Sequence, residues 1–510
     1  MAHWATPVLD RNQVTLYSPT LDQSIPEDHP VRLFNETLGA LDFSAWEASY
    51  VRVVGQPPIH PRAMAGFILY GLSLGIRSSR KLEDAAANRL DFIWLLEGRV
   101  PDHATICKFR TQFGPQIKDL FRQVGRVAIA MGLVSLNAVM LDGTDLKANN
   151  SRYATNRRAS LQQKLDALDR QVEQLMAEAE VADKADAQLL GESSPTRLPR
   201  SLSDLKARQE RLRQAMENIK EMEAQRGNRS DMPKGPAIPT TDPESRVLPA
   251  KQGGYGPGYT GVLATDAKHG IIVDAQVLAG NDEASTVLPA VENIEQNFGR
   301  KPGEIIADSG FNTGTNLAGL GEQNVGALMP PRQELDTSAA ERPDPSQPVA
   351  EADRPRLPIN PQNKVLDRSV FTYDPSADRY HCPMGRAMPR TEDKPYNRHG
   401  TKGIYKVYQS TDCAGCPLQE RCLSGKSPTR RVCRDEHETL RETMAGRMKS
   451  EAGRERYKQR AAVAERAFAV LKARMNLRQL LLRGIEKVRI EIDWAVTAFN
   501  LAKLITLAAK

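Results

Sequence analysis

Two short apolar runs in this chain of 510 residues each lead into an aspartate and then a glycine-bearing turn. Asp142 follows the run in LNAVMLDGTD, and Asp308 follows the run in GEIIADSGF. Short apolar runs of this kind predict strands that are buried on both faces. We therefore expect each carboxylate at the end of a strand, held rigidly within reach of a metal ion at the sheet edge. An aspartate before glycine is also a common turn residue, so one such run alone is not decisive.

A third carboxylate, Glu465, stands near the start of a basic stretch from Tyr457 to Leu504, which predicts two long helices. Residues 441–510 carry 16 Lys and Arg against 7 Asp and Glu, an excess of 9 that exceeds the net charge of +7 for the whole chain. Two interpretations of Glu465 are open at this point. It forms a surface ion pair with Arg466 or Lys458, worth at most about 1 kcal/mol, or it binds a divalent metal ion while the surrounding cations hold a polyanion.

Length and composition limit the classes of partner. A chain of 510 residues suggests about three domains. Its pI of about 9.0 favours a nucleic-acid partner over a small acidic substrate. The N-terminal sequence does not have the pattern of a secretory signal, and no apolar run approaches the roughly 18 residues of a membrane span. These features predict a cytoplasmic protein without membrane contact, whose cysteines stay reduced.

The N-terminal part predicts a compact helical domain after an extended arm of about 30 residues, because apolar positions recur at helical spacing from Val31 to about Gly132. Two segments, GIRSSRKLEDA and PDHATICKFR, place cations at helix ends. Such helices suit a helix-turn-helix-like reader whose positive ends meet DNA phosphates. The alternative is the solvated basic face of an ordinary helical bundle. The residues expected to bind DNA are Arg77, Arg80, Lys81, Lys108 and Arg110, while Cys107 is expected in the core.

The middle of the chain predicts further elements. Leucines at steps of three and four in residues 156–227 predict an antiparallel helical hairpin. The stretch GYTGVLATDAKHGIIVDAQVLAG predicts two antiparallel strands beside the first one, and a helix should run from Asp282 to about Asn297. The segment from about Arg332 to Arg368 is rich in Pro, Asp and Glu and predicts a loose surface excursion.

A group of cysteines follows that segment. Cys413 and Cys416 form a C-x2-C pair, Cys422 comes shortly after, and Cys382 stands upstream in a Cys-Pro turn. The number and turn chemistry of these four residues indicate a structural zinc knuckle, although the second C-x2-C of the better-known zinc ribbons is missing. The alternative is a set of small buried thiols, or a site that has lost its metal.

The order of these elements matches one known topology. A strand with Asp142, a strand hairpin, a helix, a strand with Asp308 and a late helix with Glu465 make the skeleton of an RNase H-like fold. Three carboxylates in such a fold can hold two Mg²⁺ ions about 3.5 to 4 Å apart. This arrangement suits phosphodiester chemistry, since charge builds on both the entering and the leaving oxygen.

Several segments resemble the transposases of bacterial insertion sequences. The run from His60 to Phe113 resembles the InsH-like N-terminal domain. LDGTDLKANNS, IIADSGFNTGTNL and ERAFAVLKARMNLRQLLLRGIEKVRIEIDWAVTAFNLAKL resemble the two aspartate segments and the glutamate helix of DDE transposases. The resemblance implies that Asp142, Asp308 and Glu465 are the catalytic triad and bind two Mg²⁺ or Mn²⁺ ions.

A further family feature is a helix that carries a Tyr, an Arg, the Glu and a Lys. Lys472 is seven residues after Glu465 on the same helix face, whereas Arg460 is five residues before it, about 140° around an α-helix. Only Lys472 is therefore assigned as a contact to the DNA end, and Tyr457 and Arg460 are set aside. Arg474 and Arg478, on the same basic stretch, are also expected to bind DNA.

The expected fold is α+β. An RNase H-like catalytic domain, with a mixed sheet flanked by helices, is joined by an N-terminal helical domain, a helical-hairpin insertion and a small Cys-rich insertion. The expected segments are residues 1–132 (arm and helical DNA-binding domain), 133–155 (first part of the catalytic domain), 156–230 (helical hairpin), 231–332 (catalytic domain continued), 333–440 (loop and Cys-rich zinc-like insertion) and 441–510 (Glu helix and C-terminal helix).

The expected function is a Mg-dependent DDE transposase that binds the terminal inverted repeats of its own element, cleaves DNA there and joins the freed 3′-hydroxyl to target DNA. Its partners would be double-stranded DNA at the element ends and the target, and a second copy of the chain, since two ends must be brought together. It would be associated with the nucleoid. The alternatives are an RNase H-like nuclease and a catalytically inactive, domesticated DNA-binding protein.

Overall fold

A computed structural model describes most of the chain, namely residues 20–50, 57–151, 153–190, 200–226, 235–249, 254–332, 335–398, 401–425 and 427–508. The first 19 residues of the expected N-terminal arm lie outside these ranges, as do most of the helix-breaking residues between the two helices of the expected hairpin. The chain divides into two compact units. Unit 1 comprises Met1–Pro302 and Ala461–Lys510, and unit 2 comprises Gly303–Arg460.

Helices make up much of both units. In chain order, the α-helices are α1 (Pro30–Gly39), α2 (Ser44–Glu47), α3 (Pro61–Ser73), α4 (Ser79–Asn88), α5 (Leu90–Leu95), α6 (His103–Gln112), α7 (Gly114–Ala130), α8 (Arg158–Leu190), α9 (Arg200–Arg226), α10 (Val287–Phe298), α11 (Gly314–Glu322), α12 (Gln419–Cys422), α13 (Glu438–Lys449), α14 (Glu451–Arg460), α15 (Arg466–Ala469) and α16 (Ile485–Ala508). Two π-helical segments, Ala461–Glu465 and Val470–Arg474, flank α15.

Strands form two main sheets. They are β1 (Val139–Lys147), β2 (Thr155–Asn156), β3 (Ile238–Pro239), β4 (Arg246–Pro249), β5 (Tyr255–Asp266), β6 (Ile272–Leu278), β7 (Glu304–Ile306), β8 (Gly326–Leu328), β9 (Thr372–Asp374), β10 (Arg379–His381), β11 (Ala387–Arg398), β12 (Thr401–Gln409) and β13 (Arg431–Arg434). This combination of helices with parallel and antiparallel strands confirms the predicted α+β class.

The sheet of unit 1 is built around β5. That strand pairs with β1 and with β6, both antiparallel, and its first residues pair with β4. The β5–β6 hairpin beside the first strand is as the sequence predicts. Asp266 fixes the turn, because its carboxylate accepts the backbone N–H of Lys268 at 2.9 Å and that of Leu136 at 2.8 Å.

The N-terminal helices share a core with the C-terminal helix. Trp46 stacks on Phe113 at 4.9 Å and meets Trp494 of α16 edge to face at 6.0 Å. The indole of Trp494 also donates to the carbonyl of Arg110 at 3.1 Å. Buried aromatic pairs of this kind contribute about 0.5 to 1.5 kcal/mol each beyond the area they bury. The described N-terminal helices and the C-terminal helix α16 therefore fold as one body in unit 1.

Helices α8 and α9 pack against each other over a small apolar cluster that includes Leu161, Leu212 and Ile219. Arg158, the first residue of α8, forms an ion pair with Glu223 near the end of α9. Asp169, further along α8, accepts a hydrogen bond from Gln209, which is nearer the start of α9, so the helices run antiparallel.

Unit 2 contains the parallel pair β7–β8 and a five-stranded antiparallel sheet in the order β13-β12-β11-β10-β9. The prediction of a loose excursion between Arg332 and Arg368 is wrong. Ala339, Val349 and Leu357 of that segment are buried in the core of this sheet, together with Tyr380 and Tyr408. The Pro-rich composition lowers the content of regular structure, but the apolar residues between the prolines still bury themselves.

None of the helices in the described part of the chain is both long and apolar enough to span a lipid bilayer.

Candidate active site

Asp142 lies within a strand of unit 1 and not at its end. Strand β1 continues to Lys147, so Asp142 is the fourth of nine residues and pairs with Leu263 of β5. The predicted strand end after Leu141 is wrong, because Gly143 does not turn the chain here but stays in register opposite Val262. The carboxylate is half-buried and accepts the N–H of Gly143 at 3.1 Å.

Glu465 belongs to the first π-helical segment, which packs against β1 and β5 within unit 1. Its side chain is exposed, while Ala464 beside it is buried. π-Helical turns are rare and are frequent at functional sites. The wider turn holds Glu465 on the solvent side of a segment whose small residues approach the strand that carries Asp142.

Lys472, in the second π-helical segment, fixes this stretch to β1. Its Nζ donates to Oγ1 of Thr144 and to the carbonyl of Asp145, the latter at 3.1 Å. Thr144 is two residues from Asp142, and alternation along the strand puts both side chains on one face of the sheet. The cation therefore lies on the same face as the half-buried carboxylate.

The structure adds a carboxylate that the sequence did not single out as a site residue. Glu283 follows β6 in a short 3-10 helix, and its carboxylate covers Gly143 so closely that a Cβ there would come within 2.3 Å of it. Only glycine leaves this space for Glu283, which by the alternation of the strand lies on the face opposite to the side chain of Asp142. The sequence offered one signal, a cluster of acid residues in GNDEAST directly after a strand, but nothing local related it to β1.

Asp308 lies in unit 2, two residues after β7. Its Oδ1 accepts the N–H of Gly310 at 2.7 Å, and its Oδ2 is 3.7 Å from Nη2 of Arg460 on α14. Glu304, at the start of the same strand, is buried and forms ion pairs with Arg447 and Arg456. The ion pairs that Glu304 and Asp308 form with α14 thus place Arg460 beside the candidate carboxylate Asp308.

The position of Arg460 corrects an inference from the sequence. The rotation of about 140° that set this residue aside assumes 3.6 residues per turn. The chain is π-helical from Ala461 to Glu465, with hydrogen bonds between residues five apart, so that phase does not hold. Arg460 is a candidate functional residue through its contact with Asp308.

Arg77 and Arg110, two of the expected DNA contacts, have side chains that bind groups inside unit 1. Arg77 is 7% exposed, donates to the carbonyls of Asn476 and Gln479 and forms an ion pair with Glu491. Arg110 donates to the carbonyl of Arg77 at 2.6 Å, and burial lowers the pKa of its guanidinium to about 10. This placement contradicts the expectation that Arg77 and Arg110 contact DNA.

The other expected DNA contacts are accessible. Arg80 and Lys81 are exposed on α4, and Lys108 is exposed on α6. Arg474, the last residue of the second π-helical segment, and Arg478 after it are exposed. Cys107 is exposed as well, which makes its predicted core position wrong; its thiol is 3.3 Å from the hydroxyl of Ser79.

Four cysteines of unit 2 line one small cavity, namely Cys382, Cys413, Cys416 and Cys422. Glycines with positive φ stand in the two turns that carry three of them, Gly385 at 75° and Gly415 at 66°. Burial raises the pKa of the Cys422 thiol to about 11. Within the described residues, no three His, Cys, Asp or Glu side chains are arranged as a complete metal site. The four thiols therefore share a cavity, but they are not grouped as closely as the ligands of a bound metal ion.

Comparison with known families gave two matches. The family described as Transposase DDE domain matches residues 381–505. The family described as Transposase domain (DUF772) matches residues 19–112. No curated protein matches the chain. The first match covers the cysteine group, Glu465 and Lys472, and the second covers helices α1 to α6.

Proposed function

We propose, from the premise that the chain is a DDE transposase of the insertion-sequence type, that it binds the terminal inverted repeats of an element, cleaves DNA there and joins the freed end to target DNA. Hydrolysis breaks the bond from phosphorus to the 3′-oxygen and leaves a 3′-hydroxyl. In strand transfer, that hydroxyl attacks a target phosphorus, and a target 3′-oxygen leaves. The proposed catalytic carboxylates are Asp142, Asp308 and Glu465.

The observation that carries the proposal is the packing of the Glu465 segment on β1 in unit 1. Lys472 joins the two elements through Thr144 and Asp145, and Asp142 stands on the same strand face as Thr144. A half-buried carboxylate beside a fixed cation is suited to hold a phosphate and its metal ion, because the cation offsets the charge that the phosphate brings. Lys472 is proposed to hold the DNA end.

Divalent ions fit the donor set, since Asp and Glu supply the hard oxygen ligands that Mg²⁺ and Mn²⁺ prefer. Asp142, Asp308 and Glu465 would hold them. A pair of such ions would lower the pKa of the attacking water or hydroxyl and stabilise the leaving oxygen.

We also propose an RNase H-like arrangement for the catalytic domain. It is supported in unit 1 by β1 beside the β5–β6 hairpin, and in unit 2 by the parallel strands β7 and β8, with Asp308 after the first of them. In this proposal residues 133–155, 231–332 and 441–510 form the catalytic domain. Residues 1–132 contact DNA through Arg80, Lys81 and Lys108, residues 156–230 and 333–440 are insertions, and at least two copies act together on two ends.

The test is a strand-transfer assay with Mg²⁺ and a duplex that carries the element end. Asp142→Asn, Asp308→Asn and Glu465→Gln keep the side-chain shape. Each should lower the rate about 10³-fold, the size expected when several kcal/mol of transition-state stabilisation are lost. The matched control is Asp204→Asn, at an exposed acid of α9, which should retain activity.

Binding of the same duplex, measured by fluorescence anisotropy, should remain within about threefold of wild type for all four variants, since the substitutions remove no phosphate-binding cation. Strand joining that survives Asp308→Asn would exclude the proposed mechanism. Equal cleavage of unrelated duplex would favour an RNase H-like nuclease, and binding without any cleavage would favour an inactive DNA-binding protein.

The cysteine group is proposed to bind a structural Zn²⁺ ion. Four thiols that line one cavity, with glycine turns at Gly385 and Gly415, suit tetrahedral sulfur coordination. Elemental analysis should find about one zinc per chain. Cys416→Ser should lose it, and Cys433→Ser should keep it because Cys433 is exposed outside that cavity. A zinc-free wild type would exclude this site.

A further inference from the structure

A two-stranded ribbon extends from the antiparallel sheet of unit 2. Strands β11 and β12 pair from Glu392 opposite Val407 to Arg398 opposite Thr401. Strand β13 pairs with β12 only from Lys406 onward, and β10 pairs with β11 only up to Pro389. Within the described residues 392–398 and 401–405, the strand pairings are therefore only those between β11 and β12. We call residues 391–406 the ribbon.

The ribbon is rich in cations and poor in acids toward its end. Residues 394–406 contain four Lys and Arg and no Asp or Glu, a local charge of +4 in a chain whose net charge is +7. Lys394 and Lys406 are exposed. The ion pair of Lys394 with Glu392, at 2.9 Å, is half-exposed on both sides and contributes little, so it does not prevent a phosphate contact.

Apolar groups accompany these cations on the outside of the protein. Ile404 is 55% exposed, and the rings of Tyr396 and Tyr405 stack with centroids 4.3 Å apart. Alternation and register place Lys394, Tyr396 and Tyr405 on one face of the ribbon. A basic surface with interleaved aromatic rings is typical of proteins that bind nucleic acids.

A cavity continues this face at the base of the ribbon. It has a volume of about 410 Å³ and is lined by Tyr405, Arg431 and three further arginines. Two acids also line the cavity: Glu438 engages Arg368 and Arg441, and Asp435 engages Arg441, while Arg430 donates to backbone carbonyls. These side chains are therefore fixed, and four arginines against two acids leave the wall with a net positive charge. Arg431 is exposed, and its Nε donates to Gln409 at 3.0 Å.

We propose that the ribbon enters a groove of duplex DNA and that Lys394, Lys406 and Arg431 contact the phosphates that border it. The major groove of B-DNA is wide enough for a two-stranded β-ribbon. The charge of the ribbon is complementary to a polyanion, and lysines on strand edges disfavour pairing with a second copy of the chain. The proposal rests on the proposed function only for the nature of the partner, DNA.

The test compares two triple variants of the full chain that remove the same charge. Lys394→Gln, Lys406→Gln and Arg431→Gln change the ribbon and its base. The control changes Arg208, Arg211 and Lys220, three exposed cations of α9, to Gln. Binding of a duplex is followed by anisotropy from 50 to 300 mM salt. The log–log salt slope should fall by about 2 to 3 in the ribbon variant and by less than about 0.5 in the control, because each lost phosphate contact removes about 0.9.

A second variant separates groove entry from phosphate contact. Because Asp393 pairs with Lys406, an Asn-Gly turn can replace residues 394–405 and close a shorter hairpin. Dimethyl sulfate reacts with guanine N7 in the major groove. Wild type should protect guanines within its footprint, and the shortened variant should lose part of that protection while it keeps its zinc content and its circular dichroism spectrum.

Each outcome decides between supporting and overturning the inference. Equal slopes in the two triple variants, or unchanged guanine protection in the shortened variant, would overturn it while the proposed function stands. Failure of wild type to bind duplex DNA would instead overturn the proposed function. A smaller mass of the DNA-free shortened variant in sedimentation would show that the ribbon is a contact between copies, and would also overturn it.

Discussion

Two regions of the molecule are rich in cations in the sequence, but they use them in opposite ways. In the N-terminal helices of unit 1, Arg77 and Arg110 are turned inward and bound by protein groups. In the antiparallel sheet of unit 2, Lys394, Lys406 and Arg431 are exposed. Arg77, Arg110 and Arg431 all stand near a turn or an element end, so local sequence does not distinguish the two groups.

The two groups of cations differ in the hydrogen-bond acceptors that the fold brings to their side chains. Glu491 and the carbonyls of Asn476 and Gln479 reach Arg77 from about 400 residues further along the chain. The ribbon has no acid between its lysines from residue 394 to residue 406. Acceptors such as those of Arg77 offset the desolvation of a buried guanidinium, whereas an exposed one is solvated by water. A basic segment therefore indicates a DNA contact only where no distant acceptor captures it.

The largest effect is expected for the buried pair. Arg77→Ala leaves Glu491 without its cation and two carbonyls without a donor, which should cost unit 1 about 3 to 5 kcal/mol of unfolding free energy. Urea unfolding followed by tryptophan fluorescence measures this unit, because all four tryptophans lie outside residues 303–460.

The control for this prediction is Arg80→Ala, three residues away and exposed, which should change the unfolding free energy by less than about 0.5 kcal/mol. Glu491 also accepts the N–H groups of Leu481 and Leu482. The double variant with Glu491→Gln should therefore recover only part of the loss. If Arg77→Ala and Arg80→Ala were equally stable, the assignment of Arg77 to the interior would be wrong.

Two acids of unit 1, Asp274 and Asp493, should make the stability of this unit depend on pH. Burial raises the pKa of Asp274 to about 6, and burial with the neighbouring Asp274 charge raises that of Asp493 to about 7, although Lys118 opposes the shift. The folded state holds these protons up to a higher pH than the unfolded state does. Their contribution to stability therefore falls as pH rises from about 4 to 7, by at most about 1.4 kcal/mol per pH unit for each group.

Asp493→Asn removes one of the two carboxyl groups that bind a proton more tightly in the folded state than in the unfolded state. The decrease of the urea midpoint between pH 5 and pH 8 should become shallower than in wild type, and the variant should be the more stable protein at pH 8. Asp119→Asn, at a half-exposed acid of α7, should leave the pH profile unchanged. A wild-type profile that rises from pH 5 to pH 8, and is not altered by Asp493→Asn, would contradict the prediction.

The fold was predictable wherever a local pattern determines it. The period-two alternation around Gly270 predicts the β5–β6 hairpin, and helical spacing predicts the N-terminal helices. The extent of β1 was not predictable, since Gly143 signals a turn in most contexts and only its pairing with β5 keeps it extended. The burial of Ala339 and Val349 also depends on partners that come later in the chain.

The candidate site shows the same limit. Asp142, Asp308 and Glu465 could be proposed from strand-and-turn patterns and family resemblance, and they stay a prediction. Glu283 and Arg460 could not, because their relevance comes from contacts with Gly143 and Asp308 that no local spacing encodes. A π-helical turn changes the phase on which the helical argument for Arg460 relied. Sequence reasoning identifies the residue types of a site better than the neighbours that orient them.

The smallest effect on stability is expected for Arg431→Gln, the counterpart of Arg77→Ala in the exposed group. Among the described residues its side chain donates to Gln409, and it is open to water, so the unfolding free energy should change by less than about 0.5 kcal/mol. Its effect on DNA should be larger, since one phosphate contact fewer lowers the salt slope by about 0.9. Arg431→Lys keeps the charge and should restore most of the slope, which a role in folding would not predict. A destabilised Arg431→Gln with an unchanged slope would place Arg431 with Arg77 among the structural cations.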